Sequence, residues 1–237
     1  MKFVRKNGYW MKRILTYTGI ISFFALSFCT RPPELPVVPS IEFETVVFKE
    51  VEGPDSLIIS LAFEDGDGDL GLTSFDIYEP YQAYNVMLDQ NGDTIYYGDH
   101  PDMPPYNPLD YVITRDNDGN PQDTVWVELN PNHYNIFVRF FEKRDGQYEE
   151  FDWRDPPYFQ TFDGRFPLLN TEIEDNRLVI RPLRGSLRYG MTSSGWLFLF
   201  RDTLRIDVMI QDRALNKSNV ISTPDFTLDM IREDPEP

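Results

Sequence analysis

Three aspartates at alternate positions are the most specific chemical feature of this sequence. Asp65, Asp67 and Asp69 are separated by single glycines in the segment 63–71, which reads FEDGDGDLG. The glycines let a short loop curl, so that several carboxylate oxygens converge on one point. Ca²⁺ suits such a site because it accepts about 6 to 8 oxygen ligands in loose geometry. The spacing therefore predicts a structural calcium site.

A second loop near the C-terminus carries further candidate ligands. Asp212 and Asn216 lie in segment 211–219, directly after an alternating apolar run that ends at Ile210. In an Ig-like sandwich the loops after the second and the penultimate strands emerge at the same end. We therefore expect Asp212 and Asn216 to complete the calcium site. The alternative for both loops is ordinary turn chemistry, in which Asp and Asn side chains bond to nearby backbone.

Two related motifs are interpreted differently. The first loop begins like an EF-hand and places Asp76 twelfth, but Leu70 occupies the sixth position, where that turn requires glycine. Strand-like segments also flank it, so an EF-hand is excluded.

Segment 116–120 alternates oxygen-bearing side chains between two strand-like runs, where Asp and Gly favour a plain hairpin turn. We expect no second cation there.

The elements that must position these loops are strands. Apolar residues alternate through segments 57–63 and 204–210, which predicts half-buried strands. Asn-Gly or Asp-Gly pairs divide the apolar segments at 84–97, 111–129 and 134–153, which predicts hairpins. No segment after residue 40 has a sustained helical stripe. The pattern predicts an all-β fold, an Ig-like antiparallel β-sandwich with additional hairpins.

One β-sandwich domain is expected over residues 41–237, and a division near Pro156 is the alternative. The hairpins within 81–155 would be either its middle strands or an elaboration. The first two and the last two strands are expected at 41–51, 57–63, 203–210 and 220–230.

Residues 1–28 have the layout of a secretion signal. Five basic residues precede a short apolar run at 14–26. That run is shorter than the about 20 residues that cross a bilayer as a helix, so we expect its removal. Cys29, the only cysteine in the chain, follows directly.

Cys29 is the candidate site of lipid attachment. The sequence Leu26-Ser27-Phe28-Cys29 resembles the lipobox of bacterial lipoproteins, with Phe28 in place of the usual small residue. The resemblance implies that Cys29 becomes the first mature residue and carries acyl chains. The alternative is a signal that is cut elsewhere, with Cys29 incidental. Residues 29–40 are rich in proline, which favours an extended tether.

The charge of the mature chain restricts its partners. Loss of five basic residues with the signal takes the formal net charge from −17 to −22. A surface this acidic repels nucleic acid and anionic headgroups. The expected partners are the lipid bilayer, through acylated Cys29, and an envelope protein or a glycan.

The two acidic loops, at 65–71 and 212–219, together with segment 162–167 (FDGRFP), resemble a pattern in Bacteroidota lipoproteins with Ig-like or cadherin-like calcium-loop domains. The resemblance implies a cell-envelope location, at the outer membrane, and a non-catalytic domain. Whether the domain faces the periplasm or the cell surface stays open, as does its ligand.

An enzyme is not expected. Beyond Cys29 the sequence has no thiol, no G-x-S-x-G, no H-E-x-x-H and no glycine-rich phosphate loop. The only two histidines, His100 and His133, lie in loop-like segments. We expect a binding or scaffold module. The alternatives are a glycan-binding accessory lipoprotein of an outer-membrane uptake system and, less favoured, a glycosidase that uses paired carboxylates.

A glycan-binding role would require exposed aromatic rings for stacking. Among the candidates, Trp126 and Trp153 lie in strand-like runs and are expected in the core, whereas Trp196 could be a loop tip or the start of a buried strand. The full set of candidates is Trp126, Trp153, Trp196, Tyr81, Tyr84 and Tyr106.

Overall fold

The computed structural model describes residues 35–50, 54–99, 103–170, 173–174, 177–178, 181–199 and 202–233. Residues 1–34, with the expected signal and Cys29, lie outside these ranges. The strands are β1 (Ser40–Lys49), β2 (Asp55–Asp65), β3 (Tyr84–Val86), β4 (Tyr111–Arg115), β5 (Pro121–Leu129), β6 (Ile136–Arg144), β7 (Gln147–Phe151), β8 (Ile173–Glu174), β9 (Arg177–Leu178), β10 (Leu183–Ser193), β11 (Leu204–Ile210) and β12 (Ile221–Ser222). Short 3-10 turns span Pro131–His133, Ser194–Leu199 and Leu228–Ile231.

Two antiparallel sheets form the sandwich. One has the strand order β1-β2-β10 and the other β12-β11-β6-β7. An Ig-like domain likewise keeps its strands A, B and E in one sheet and C, F and G in the other. Here β1, β2 and β10 correspond to strands A, B and E, and β6, β11 and β12 correspond to strands C, F and G. Strand β7 extends the second sheet beyond β6. The predicted Ig-like antiparallel sandwich is confirmed.

The hydrophobic core lies between these two sheets. Alternate residues of β2, including Ile59 and Leu61, and alternate residues of β11, including Ile206 and Val208, are buried in one cluster. This two-residue period is the one that the sequence displays, because successive side chains of a strand point to opposite faces. The alternation of apolar residues in the sequence therefore locates both strands and the loops that follow them.

Aromatic rings close part of this core. Trp196 lies in the turn Ser194–Leu199 and is fully buried, with its ring stacked on Phe162 at 4.9 Å between centroids. Trp153 meets Trp196 edge-on at 5.0 Å. The expected burial of Trp126 and Trp153 is confirmed. For Trp196 the structure decides in favour of a buried position.

The hairpins have two different roles. Strands β6 and β7 pair with each other inside the sandwich, at the predicted place. Strands β4 and β5 also pair as predicted, but they form a separate sheet, β3-β5-β4, with a small core around Ile95, Tyr111 and Trp126. Within the hairpin predicted at 84–97, only a single bridge, between Leu88 and Thr94, joins the two halves. The first half contains β3, which pairs with β5.

Two strand predictions need correction. Strand β10 was missed, because two glycines and several polar residues interrupt the alternation of Leu187, Tyr189 and Met191. The strand expected at 220–230 is reduced to β12, since Pro224 has no backbone N–H to continue the ladder. Pairing returns only at Phe226, which exchanges two backbone hydrogen bonds with Leu204.

By their contacts, the described residues from Leu35 onward group into one unit. No helix in the described part of the chain is long and apolar enough to cross a membrane.

The core between the two sheets is expected to carry most of the stability. Ile206→Ala deletes a fully buried side chain and should lower the free energy of unfolding by about 2–5 kcal/mol. The same truncation at Ile113, which is 48% exposed, should cost less than about 1 kcal/mol. Chemical denaturation of both variants tests this. Equal losses would contradict the placement of Ile206.

Candidate metal centre

Four aspartates meet at one end of the sandwich. Strand β2 ends at Asp65, and Asp67 and Asp69 follow in the next loop, whereas Asp212 comes just after the end of β11. One carboxylate oxygen of each residue lies within 4.8 Å of the others. The loops after the second and the penultimate strands therefore do emerge together, as Ig-like topology requires.

The first loop depends on Gly68 for its turn. Gly68 has a φ of +69°, and a Cβ built there would lie 1.9 Å from the carbonyl oxygen of Arg181. Any other residue would clash with the backbone, so only glycine fits. The loop is closed by a hydrogen bond of 3.0 Å from the backbone N–H of Asp69 to Asp65 Oδ2.

The second loop orients Asp212 and meets the first loop. Asn216 donates to Asp212 twice, from its backbone N–H to Oδ1 at 2.7 Å and from Nδ2 to Oδ2 at 2.8 Å. Asn216, which we expected among the ligands, thus positions a carboxylate of the cluster. The backbone N–H of Ala214 donates to Asp69 Oδ2 at 3.0 Å and joins the two loops directly.

Several carboxylate oxygens in the cluster are buried without a partner. The side chain of Asp65 has no exposed surface, and Asp212 is 2% exposed. Atoms Oδ1 of Asp65, Asp67 and Asp69 are buried and accept no hydrogen bond from the described residues. A buried, unpaired carboxylate oxygen is costly, so these atoms need either a proton or a cation.

The pKa values of the cluster are raised for the same physical reasons. Burial, followed by the charges of Asp67 and Asp69, raises the pKa of Asp65 to about 7. Burial, followed by the charges of Asp212 and Asp67, raises the pKa of Asp69 to about 6. Burial also raises the pKa of Asp212. A divalent ion at this point would reverse the balance, because its charge favours the ionised carboxylates.

The nearby cation Arg213 is paired elsewhere. Its guanidinium donates to both carboxylate oxygens of Asp76, at 2.7 and 3.0 Å. Burial opposes ionisation of Asp76, but hydrogen bonds from Arg213 and Thr73 hold its pKa down at about 2. Arg213 therefore links the segment around Asp76 to the second loop. Its positive charge is neutralised by Asp76, which is not one of the four clustered aspartates.

Sequence reasoning missed this supporting network. Arg165 Nη2 donates to the carbonyl oxygens of Thr73 and Asp76, at 2.9 and 3.0 Å. The hydroxyl of Tyr81 donates to the carbonyl oxygen of Arg213. The one sequence signal for this network is that Asp76 is the twelfth residue counted from Asp65. That spacing suggests an EF-hand, which these strand-flanked residues do not form.

The remaining candidates fall into structural positions or outside the described residues. Asp116 Oδ1 accepts from the backbone N–H groups of Asp118 and Asn120, both at 2.9 Å, so segment 116–120 is the plain turn that was predicted. Nδ1 of His133 lies 2.9 Å from the carbonyl oxygen of Tyr81. His100 lies outside the described residues.

Of the aromatic candidates for glycan stacking, the three tryptophans are buried. Tyr81 is half-buried and bonded through its hydroxyl, as described above. Tyr84 and Tyr106 keep part of their surface exposed. The candidates that a sugar ring could reach are thereby reduced to these two tyrosines.

No protein-family model, curated protein or solved structure matches this chain.

In the metal-free protein, stability is expected to fall as the pH rises. Unfolded Asp side chains titrate near 3.8, whereas folded Asp65 and Asp69 titrate at about 7 and about 6. Between these values the folded state binds more protons than the unfolded state, so the free energy of unfolding decreases as protons leave. This contribution is complete below about pH 4 and is lost by about pH 7.

Thermal melts in chelator at about pH 5 and about pH 8 test this expectation. The melting temperature should be lower at the higher pH, and Asp65→Asn should reduce the difference. Asp76, with its pKa lowered to about 2, contributes stability that is constant above about pH 4 and is lost only at lower pH, so it does not disturb this window. A melting temperature that rises across the window would contradict the assignment.

Proposed function

We propose that this protein is a lipid-anchored lipoprotein of the bacterial cell envelope whose Ig-like domain holds a structural Ca²⁺ and serves as a non-catalytic binding or scaffold module. The observation that carries the metal assignment is the set of buried Oδ1 atoms of Asp65, Asp67 and Asp69 without hydrogen-bond donors among the described residues. Asp212 brings a fourth carboxylate to the same point.

Calcium fits the donor set better than other common metal ions. The cluster offers only carboxylate oxygens, which Ca²⁺ and Mg²⁺ prefer and which disfavour zinc or copper. Two oxygens on opposite sides of a Ca²⁺, each at about 2.4 Å, are about 4.8 Å apart. The four oxygens lie within 4.8 Å of one another, which is close enough for one such ion to reach all four. Mg²⁺ requires shorter bonds of about 2.0–2.1 Å and near-ideal octahedral geometry.

The proposed ion would act as a cross-link. Asp65, Asp67 and Asp69 follow a strand of one sheet, and Asp212 follows a strand of the other sheet. An ion bound by all four would join the sheets at that end and remove the repulsion among their carboxylates. Because Cys29 is the only cysteine, no disulfide within the chain can do this.

The signal layout at residues 1–28 and the lipobox-like sequence at Cys29 support the lipid anchor. The resemblance to Bacteroidota lipoproteins supports the outer membrane as its location, and the partner would be an envelope protein. The alternative of a glycan-binding accessory lipoprotein has less support, because Trp126, Trp153 and Trp196 are buried.

Added Ca²⁺ is expected to raise the melting temperature of the purified protein, because an ion that binds only the folded state stabilises it by about 2.7 kcal/mol at a hundredfold excess over Kd. Asp67→Ala should abolish the shift. Asp118→Ala is the matched control, since Asp118 lies in the exposed turn at 116–120, and should retain it. Calorimetry after chelation and again with Ca²⁺ measures the effect. Identical melts in both states would remove the metal assignment.

The lipid anchor is tested separately in a Gram-negative host. Cys29→Ser removes the acylated thiol and should move the protein from the membrane fraction to the soluble fraction. The unsubstituted protein should also incorporate labelled fatty acid, whereas the variant should not. Retention of the variant in the membrane fraction at the original level would argue against the anchor.

A further inference from the structure

Three large apolar side chains project from one loop beside the aspartate cluster. Phe75, Ile77 and Tyr78 are 84%, 53% and 77% exposed, and only Asp76 interrupts them. We call residues 75–78 the apolar loop. A single exposed apolar residue is ordinary, but a contiguous group on an acidic protein marks a contact surface.

The apolar loop is held in a fixed conformation. Its one carboxylate, Asp76, turns inward and is clamped by Arg213 through two hydrogen bonds. The backbone N–H and the hydroxyl of Thr73 donate to the same carboxylate, both at 2.7 Å. With Asp76 fixed inward, the neighbouring apolar side chains are presented outward, and little conformational entropy is left to lose on binding.

The apolar loop lies at the end of the sandwich where the chain enters. Gly66, in the aspartate loop, donates its backbone N–H to the carbonyl oxygen of Pro36 at 2.7 Å. Ser40, the first residue of β1, pairs with Glu64 near the end of β2. Because Arg213 joins the apolar loop to the same group of loops, the entering chain, the aspartates and the apolar loop share one end.

Chain length sets how far this end can be from a lipid at Cys29. Cys29 precedes Leu35 by six residues, which reach at most about 20 Å when fully extended. Strand β2, with 11 residues, separates this end from the opposite end of the sandwich by roughly 33 Å. The apolar loop is therefore on the side of the domain that the tether keeps near the bilayer.

We propose that the apolar loop inserts into the interfacial layer of the membrane that holds the lipid of Cys29. This inference rests on the lipid anchor of the proposed function. Tyr favours the boundary between lipid and water because its ring is apolar and its hydroxyl is polar. The negative net charge of the protein favours zwitterionic over anionic headgroups. The bilayer then fixes the orientation of the domain, which a proline-rich tether alone leaves free.

Site-specific fluorescence in vesicles tests the proposal. The protein, expressed from its complete sequence in a Gram-negative host, would carry one new cysteine, Tyr78→Cys or Met230→Cys. It would be labelled with an environment-sensitive dye and reconstituted into phosphatidylcholine vesicles with a spin-labelled lipid as quencher. Met230 is the matched control, because it is 73% exposed and lies in the turn beside Arg232, which bridges to Phe48 at the opposite end.

The label at position 78 should shift to shorter wavelength and be quenched by the lipid, while the label at position 230 should show neither effect. Adding Phe75→Ser and Ile77→Ser should reduce quenching at position 78 at least about twofold, because most of the inserted apolar area is lost. Met230→Ser should leave that quenching unchanged.

The outcomes separate this proposal from the anchor it rests on. If the labelled protein floats with the vesicles but position 78 stays in water like position 230, the insertion is wrong and the anchor stands. The loop would then be free for a protein partner. If both labels enter the lipid, the proposed orientation is wrong. If the protein does not float with the vesicles at all, the anchor itself is wrong.

Discussion

Mutual repulsion among four carboxylates is the constraint on which one end of this sandwich depends. Their nearest oxygens lie within 4.8 Å of one another, and two of the four side chains are almost fully buried. At an effective dielectric constant of about 20, two unit charges at that distance repel by about 3 kcal/mol. The backbone N–H groups of Asp69, Ala214 and Asn216 offset part of this cost, but the unpartnered oxygens show that they do not offset all of it.

The two sheets make this concentration of charge possible. Strands β2 and β11 belong to opposite sheets and run so that the loops after them meet, which brings Asp69 and Asp212 together from positions far apart in the chain. Asn219 strengthens the same junction, because its side-chain amide donates to the carbonyl oxygen of Ile41 and accepts from its N–H. The aspartates are thus held close by contacts that do not themselves require a metal.

The sequence predicted what local patterns encode. The alternation of apolar residues located β2 and β11, and the Asp-Gly spacing located the loop after β2. Combined with Ig-like topology, these were enough to bring Asp212 to the same site. The pairing of Arg213 with Asp76 could not be predicted, because the two residues are separated by 137 positions and each looks like an ordinary surface charge. Strand β10 was missed because its pairing with β2 outweighs a weak local signal.

The two hydrogen bonds between Asn219 and Ile41 have a mechanical consequence. In a domain held by its N-terminus, any pulling force enters the fold at the start of β1, and Ile41 is the second residue of that strand. Strand β1 pairs with β2, where Ile41 lies opposite Phe63, and the N–H and carbonyl oxygen of Ile41 bond to Asn219 in the loop before β12. Tension applied at that point would therefore be shared between both sheets, which would resist the peeling of β1 away from its neighbour.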